Sequence, residues 1–165
     1  MAQRSELLTK ALREVGEEHE SVIAGMLVAS ADGVLLAAET RVAEADLVAN
    51  MSAVAADTAA RIVEEAGVGR YTSCLIEGSS GHVTVHPLEA NMVLVLFSQH
   101  GVTPGRLTIT AKKVLPRLRE VAAEVGTHEE PAPSPPPIPV SLADLPRIDL
   151  SMVDKDRTTP ERPPG

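Results

Sequence analysis

Residues 22–38 read Val22-Ile-Ala-Gly-Met-Leu-Val-Ala-Ser-Ala-Asp-Gly-Val-Leu-Leu-Ala-Ala38. Two apolar runs, 22–30 and 34–38, meet at Ala31-Asp32-Gly33, and Asp-Gly between apolar runs is a strong hairpin signal. The first run is apolar at both alternating sets of positions, as a strand covered on both sides is. Its chemistry predicts a strand covered on both faces, with the second run folding back beside it.

Outward from this hairpin the pattern stays regular. Upstream, residues 5–19 place Leu8, Leu12 and Val15 at helical spacing, with Ser5 as the N-cap. Downstream, an Ala-rich stretch over 44–66 predicts a long helix, stopped by Gly67-Val68-Gly69. Strands follow at 71–77, 82–86 and 91–98, with Gly78-Ser79-Ser80-Gly81 as a tight turn and Pro87 closing the second. Thr103-Pro104 starts a last helix that runs to about Val125, with a kink expected at Pro116. The element order is α-β-β-α-β-β-β-α, an α/β fold.

Composition bounds the rest. The chain has 165 residues, and the last 39 hold 10 of its 13 prolines. We read 1–126 as the domain and 127–165 as a disordered, proline-rich tail, with 140–153 as a possible docking segment. The core has one Tyr, one Phe and no Trp to draw on, so aliphatic side chains and Ala must fill it. A net charge of −8 argues against nucleic acid as a partner. Arg106, Lys112, Lys113, Arg117 and Arg119 are the nearest approach to a basic patch, and lie where a helix dipole favours cations. The N-terminus lacks a signal-peptide pattern, and no run reaches the length of a membrane span, which places the expectation in the cytoplasm. Cys74 stands alone, a small apolar residue by expectation.

On a helical wheel the 44–66 helix separates into three faces. Leu47, Val48, Met51, Val54, Ala55, Thr58 and Ile62 read as the core face. Asp46, Asn50, Asp57, Arg61 and Glu64 form a polar stripe. Ala49, Ser52, Ala53, Ala56, Ala59 and Ala60 form a smooth face, which would let a second helix approach closely. Self-association through that smooth face is the expectation, in a self-complementary dimer.

The chemistry of catalysis is missing. No Gly-x-Ser-x-Gly elbow or phosphate-binding Gly-x-x-x-x-Gly-Lys loop occurs. Ser73, His82 and Asp57 can be drawn together only on paper. His82 and His86 share a strand face without a third metal ligand and are read as lying on a solvent or interface face. No enzymatic activity, metal or cofactor is expected.

Three features together resemble the Roadblock/dynein light chain family: the 25–36 hairpin, the small-residue helix around 51–60, and the last strand at 93–97 before a terminal helix. The resemblance covers residues 8–125. It implies an α/β/α sandwich with a five-stranded antiparallel sheet in the order 2-1-5-4-3. It also implies a dimer in which the third strand pairs with its mate while the long helices pack side by side. Ala49, Ser52, Ala53, Ala56, Ala60, Tyr71, Ser73 and Leu75 then become the dimer-interface residues. Bacterial relatives are partners or activators of small Ras-like GTPases, which makes Asn50, Asp57, Arg61 and Glu64 the candidates for GTPase contact. Arg61 is read as an ion-pair partner of its helical neighbours and not as an arginine finger. The alternatives are a small-ligand sensory module signalling through its dimer, and a polarity or motility scaffold without a GTPase.

Overall fold

The computed structural model describes residues 2–126; the tail, with its expected linker and docking segment, lies outside the described residues. The elements are α1 (Ala2–Glu18), β1 (Ile23–Ser30), β2 (Leu35–Glu39), α2 (Ala45–Glu65), β3 (Cys74–Gly78), β4 (Gly81–Pro87), β5 (Met92–Ser98) and α3 (Pro104–Gly126). The strands form one antiparallel sheet in the order β2-β1-β5-β4-β3. Order, strand count and element sequence are those the resemblance implies.

The deciding hairpin closes through a three-residue loop. Ser30 and Val34 bracket it: the Ser30 amide donates to the Val34 carbonyl at 2.9 Å, and the Gly33 amide to the Ser30 carbonyl at 2.9 Å. Gly33 sits at φ +89°, the left-handed position such a loop requires at its last residue. The Ser30 hydroxyl donates to the Asp32 carboxylate and accepts from the Val34 amide, so the turn's own side chains hold it.

Both faces of the central strands are covered. Met26, Val28, Leu94 and Leu96 join Leu8, Leu12 and Val15 of α1 and Leu107, Val114 and Leu118 of α3 in one apolar layer. Leu27, Ala29, Val93 and Val95 face the other way, onto Ala49 and Ala56 of α2. β1 and β5 therefore read as continuous apolar runs. Each large side chain so buried contributes about 1.5–3 kcal/mol. α3 starts at Pro104, and the Thr103 hydroxyl accepts from the Arg106 amide at 3.4 Å as a long N-cap bond. The helix continues through Pro116.

Three expectations are corrected. Helix α1 begins at Ala2, which places Ser5 inside it and not at its cap. Strand β3 begins at Cys74, so Tyr71 and Ser73 precede it. The third concerns the faces of α2. Ala49, Ser52, Ala53 and Ala56 are buried against the sheet, whereas Leu47, Met51, Val54 and Ile62 are 53–63% exposed. The small face is the core face. The sheet side already carries Leu27, Val85, Val93 and Val95, and short side chains let the helix settle onto that bulk.

Candidate functional site

Turning α2 over leaves an unusual solvent side. Leu47, Met51, Val54, Thr58 and Ile62, spaced four, three, four and four residues apart, form an exposed stripe that is apolar but for the threonine. Next to it on the same helix lie Asp46, Asn50, Asp57, Arg61 and Glu64, all exposed. The exposed half of α2 is thus divided lengthwise into an apolar strip and a polar strip. Monomeric surfaces rarely expose such a continuous apolar run.

The polar strip is partly organised. Arg61 Nε lies 3.1 Å from Asp57 Oδ2, the helical ion pair the spacing predicted. Asn50 packs against the β1–β2 turn, where a β-carbon on Gly33 would come within 2.6 Å of its Nδ2. The hairpin therefore positions Asn50 within the strip. Glu64 stands exposed near the helix end.

At the sheet margin, β3 pairs with β4 and with no other strand among the described residues, leaving one edge of Cys74–Gly78 open there. Leu75 is 44% and Ile76 46% exposed. Tyr71, just before β3, is half-buried, and its hydroxyl donates to the Val85 carbonyl at 2.8 Å. Burial pushes its pKa up to about 12, and the electrostatic influence of nearby Cys74 raises it further. Ser73 is exposed and Ala60 half-buried. Of the eight residues assigned to a dimer interface, Ala49, Ser52, Ala53 and Ala56 are covered by their own sheet and present no surface to a second copy. Leu75 and Ser73 remain accessible.

The histidines also move. His82 and His86 alternate with Val83 and Val85, which pack in the α2 layer, so both lie on the opposite face of the sheet, the face that carries the α1 and α3 layer. His86 is buried, which overturns a solvent or interface position for it. The two are four residues apart along a strand, about 13 Å, too far for one metal ion. Among the described residues no group of three or more His, Cys, Asp or Glu side chains is placed to hold a metal. Ser73, His82 and Asp57 do not converge: Asp57 lies on α2, and His82 points to the opposite side of the sheet.

One open groove of about 720 Å³ runs between the end of α1, the start of β1 and the β2–α2 loop. Its walls carry Arg13 and Arg41 against Glu17, Glu20 and Glu39, with Arg13 and Glu39 at 4.0 Å. Mixed charge of this kind is self-compensating and selects no ligand charge. No helix among the described residues is long and apolar enough to cross a membrane.

Sequence periodicity had identified two apolar-compatible faces on α2 and assigned them the wrong way round. The signal for the exposed strip was its spacing, which is that of a helix–helix seam. The structure is similar to that of MglB from Myxococcus xanthus, at 11% identity and TM-score 0.63, over 73% of this chain and 90% of that one. An MglB with a tetrameric arrangement matches at 20% identity and TM-score 0.62, over 74% and 92%. The gliding protein MglB from Thermus thermophilus matches at 19% and 0.62, over 73% and 92%. No curated protein sequence gives a significant match. At these identities the neighbours establish the fold; the family rests on the sequence profile, which matches residues 16–98 to the Roadblock/LC7 domain. The chain belongs to the Roadblock/LC7 domain family.

Proposed function

We propose that this protein is a non-catalytic, cytoplasmic adaptor that forms a homodimer and binds a small Ras-like GTPase, tuning its nucleotide cycle or its location. The observation that carries the reading is the division of α2 into two exposed strips. Leu47, Met51, Val54 and Ile62 supply an apolar seam for the second copy, and the open edge of β3, with Leu75 and Ile76, supplies backbone groups for strand pairing. Asn50, Asp57, Arg61 and Glu64 flank the seam and stay accessible to a third protein. The smooth alanine face serves folding within the protomer.

Two further facts support this reading. A fold neighbour, one MglB, has a tetrameric arrangement, so association between copies occurs on this fold. The resemblance to the family brings the GTPase as the class of partner. The arrangement offers a surface, and no group of three or more His, Cys, Asp or Glu side chains among the described residues is placed to hold a metal. A surface can bias which nucleotide state of a partner persists without contributing chemistry of its own, provided that it binds the two states unequally.

The test is affinity capture of the tagged protein from its own cell lysate, with a GTP analogue or GDP added, followed by mass spectrometry. A Ras-like GTPase retained mainly with the GTP analogue supports the regulator. Recovery of the protein alone, or of a receptor or kinase regardless of nucleotide, replaces it with the sensory module or the scaffold. Sedimentation of the purified protein tests the dimer separately.

A further inference from the structure

Helix α3 carries five Lys or Arg and two Glu, and every cation precedes both carboxylates. Helix α2, on the other face of the sheet, carries one Arg and four Asp or Glu. A basic helix and an acidic helix thus lie on opposite faces. The helix dipole does not explain the basic one, since it favours cations in the last turn and disfavours them in the first. The last turn of α3 holds no cation, whereas Arg106 lies in the first turn and Lys112-Lys113 in mid-helix.

These cations frame an apolar line. Gly105, Ile109 and Pro116 recur at spacings of four and seven, opposite the buried Leu107, Val114 and Leu118, and form the outermost line of the helix. All three are exposed, Ile109 by 60%. By the same spacing Lys112 lies on one side of the line, and Arg106 and Lys113 on the other. Their side chains are exposed and make no ion pair among the described residues. Arg117 differs, because it is turned to α1 and held by Glu14 and Glu18.

We propose that this ridge of α3 seats the protein on an anionic lipid bilayer, with Ile109 entering the headgroup layer and Arg106, Lys112 and Lys113 meeting lipid phosphates beside it. A convex helix ridge gives a folded partner no pocket or strand edge to grip, whereas a fluid headgroup layer conforms to it. Long cationic side chains around an exposed aliphatic residue are the chemistry of an interfacial helix. Each Lys or Arg brought to an anionic surface strengthens binding about fivefold. The net charge of −8 opposes this only weakly. The acidic α2 lies beyond the sheet, and packed layers are about 10 Å apart, more than the Debye length of about 8 Å at physiological salt. The contact is peripheral, as no described helix is long and apolar enough to cross a membrane. It leaves α2 and the edge of β3 uncovered, so it rests on neither the dimer nor the GTPase.

Co-sedimentation of the full chain with vesicles of phosphatidylglycerol and phosphatidylcholine, against phosphatidylcholine alone, tests it. The protein should partition about a hundredfold better onto the anionic vesicles, and salt at about 0.5 M should remove most of that difference. Replacing two cations together, Lys112→Ala with Lys113→Ala, should cost about 25-fold in partition. Ile109→Ser should weaken binding at low and high salt alike, as loss of an apolar contact does. Arg70→Ala, which removes an exposed cation from the loop after α2, should change nothing. Equal partition onto the two kinds of vesicle overturns the proposal, as does a loss in Arg70→Ala matching that of the double variant. Retention on immobilised polyaspartate without vesicle binding also overturns it, and assigns the ridge to an acidic protein segment.

Discussion

Gly33 and Asn50 meet so closely that a β-carbon on the glycine would lie 2.6 Å from Nδ2 and 2.9 Å from Cα of the asparagine. The β1–β2 turn thereby rests directly on the second turn of α2. Hairpin and helix, 17 positions apart in the chain, meet at the second residue of the polar strip of α2.

Gly33→Ala should therefore cost more than its backbone strain. A non-glycine residue in the left-handed region costs about 1–2 kcal/mol. Gly101, at φ +76° with open space around it, supplies the strain-only control. Thermal unfolding should show Gly33→Ala as the more destabilising of the two by at least about 1 kcal/mol, in the range of overpacking. Equal losses would mean that Asn50 simply swings aside.

Charges introduced on the two faces of α2 should separate assembly from folding. Met51→Glu or Val54→Glu, on the exposed strip, should leave circular dichroism intact and reduce the mass by light scattering to that of the monomer. Ala53→Glu should instead unfold the protomer, since an uncompensated buried charge costs about 3–5 kcal/mol. A folded, still-dimeric Met51→Glu protein would remove the seam from the proposed interface.

The Tyr71 phenol gives a direct spectroscopic readout, because it is the chain's sole tyrosine and there is no tryptophan. Ultraviolet absorbance should show it ionising near pH 12 in the folded protein and near 10 after denaturation. A raised folded pKa means that its stabilising contribution is complete below pH 10 and is lost as pH rises towards 12. Tyr71→Phe should cost about 1 kcal/mol through the bond to the Val85 carbonyl and should flatten this alkaline loss.

Arg117 ties α3 to α1, bonding Glu18 at 3.0 Å and Glu14 through its other terminal nitrogen. Its side chain is 43% exposed, so solvent screens the pair. Arg117→Ala should cost about 1 kcal/mol or less at low salt and close to nothing at high salt. A larger loss that salt does not reduce would show that the aliphatic stem, and not the charge, joins the helices.

The chain order of strands and helices was legible in the sequence because each element carries its own period and punctuation. Asp32-Gly33 marked the hairpin, Gly67 the end of α2, and Thr103-Pro104 the start of α3. The continuous apolar runs of β1 and β5 announced strands covered on both sides. The Arg61–Asp57 pair followed from helical spacing alone.

Tertiary structure decided which way α2 faces. Its bulky stripe and its small stripe are both compatible with burial, and periodicity groups residues into faces without saying what lies opposite. The choice was made by Leu27, Val85, Val93 and Val95, side chains from distant parts of the chain that fill the sheet surface and leave room for alanines. The same holds for His86: alternation along β4 put it on a face, and only the packing of other elements over that face made it an interior. Short-range sterics and hydrogen bonding write local geometry into the sequence, whereas the identity of a core is a property of two surfaces meeting, and it exists only once the chain has folded.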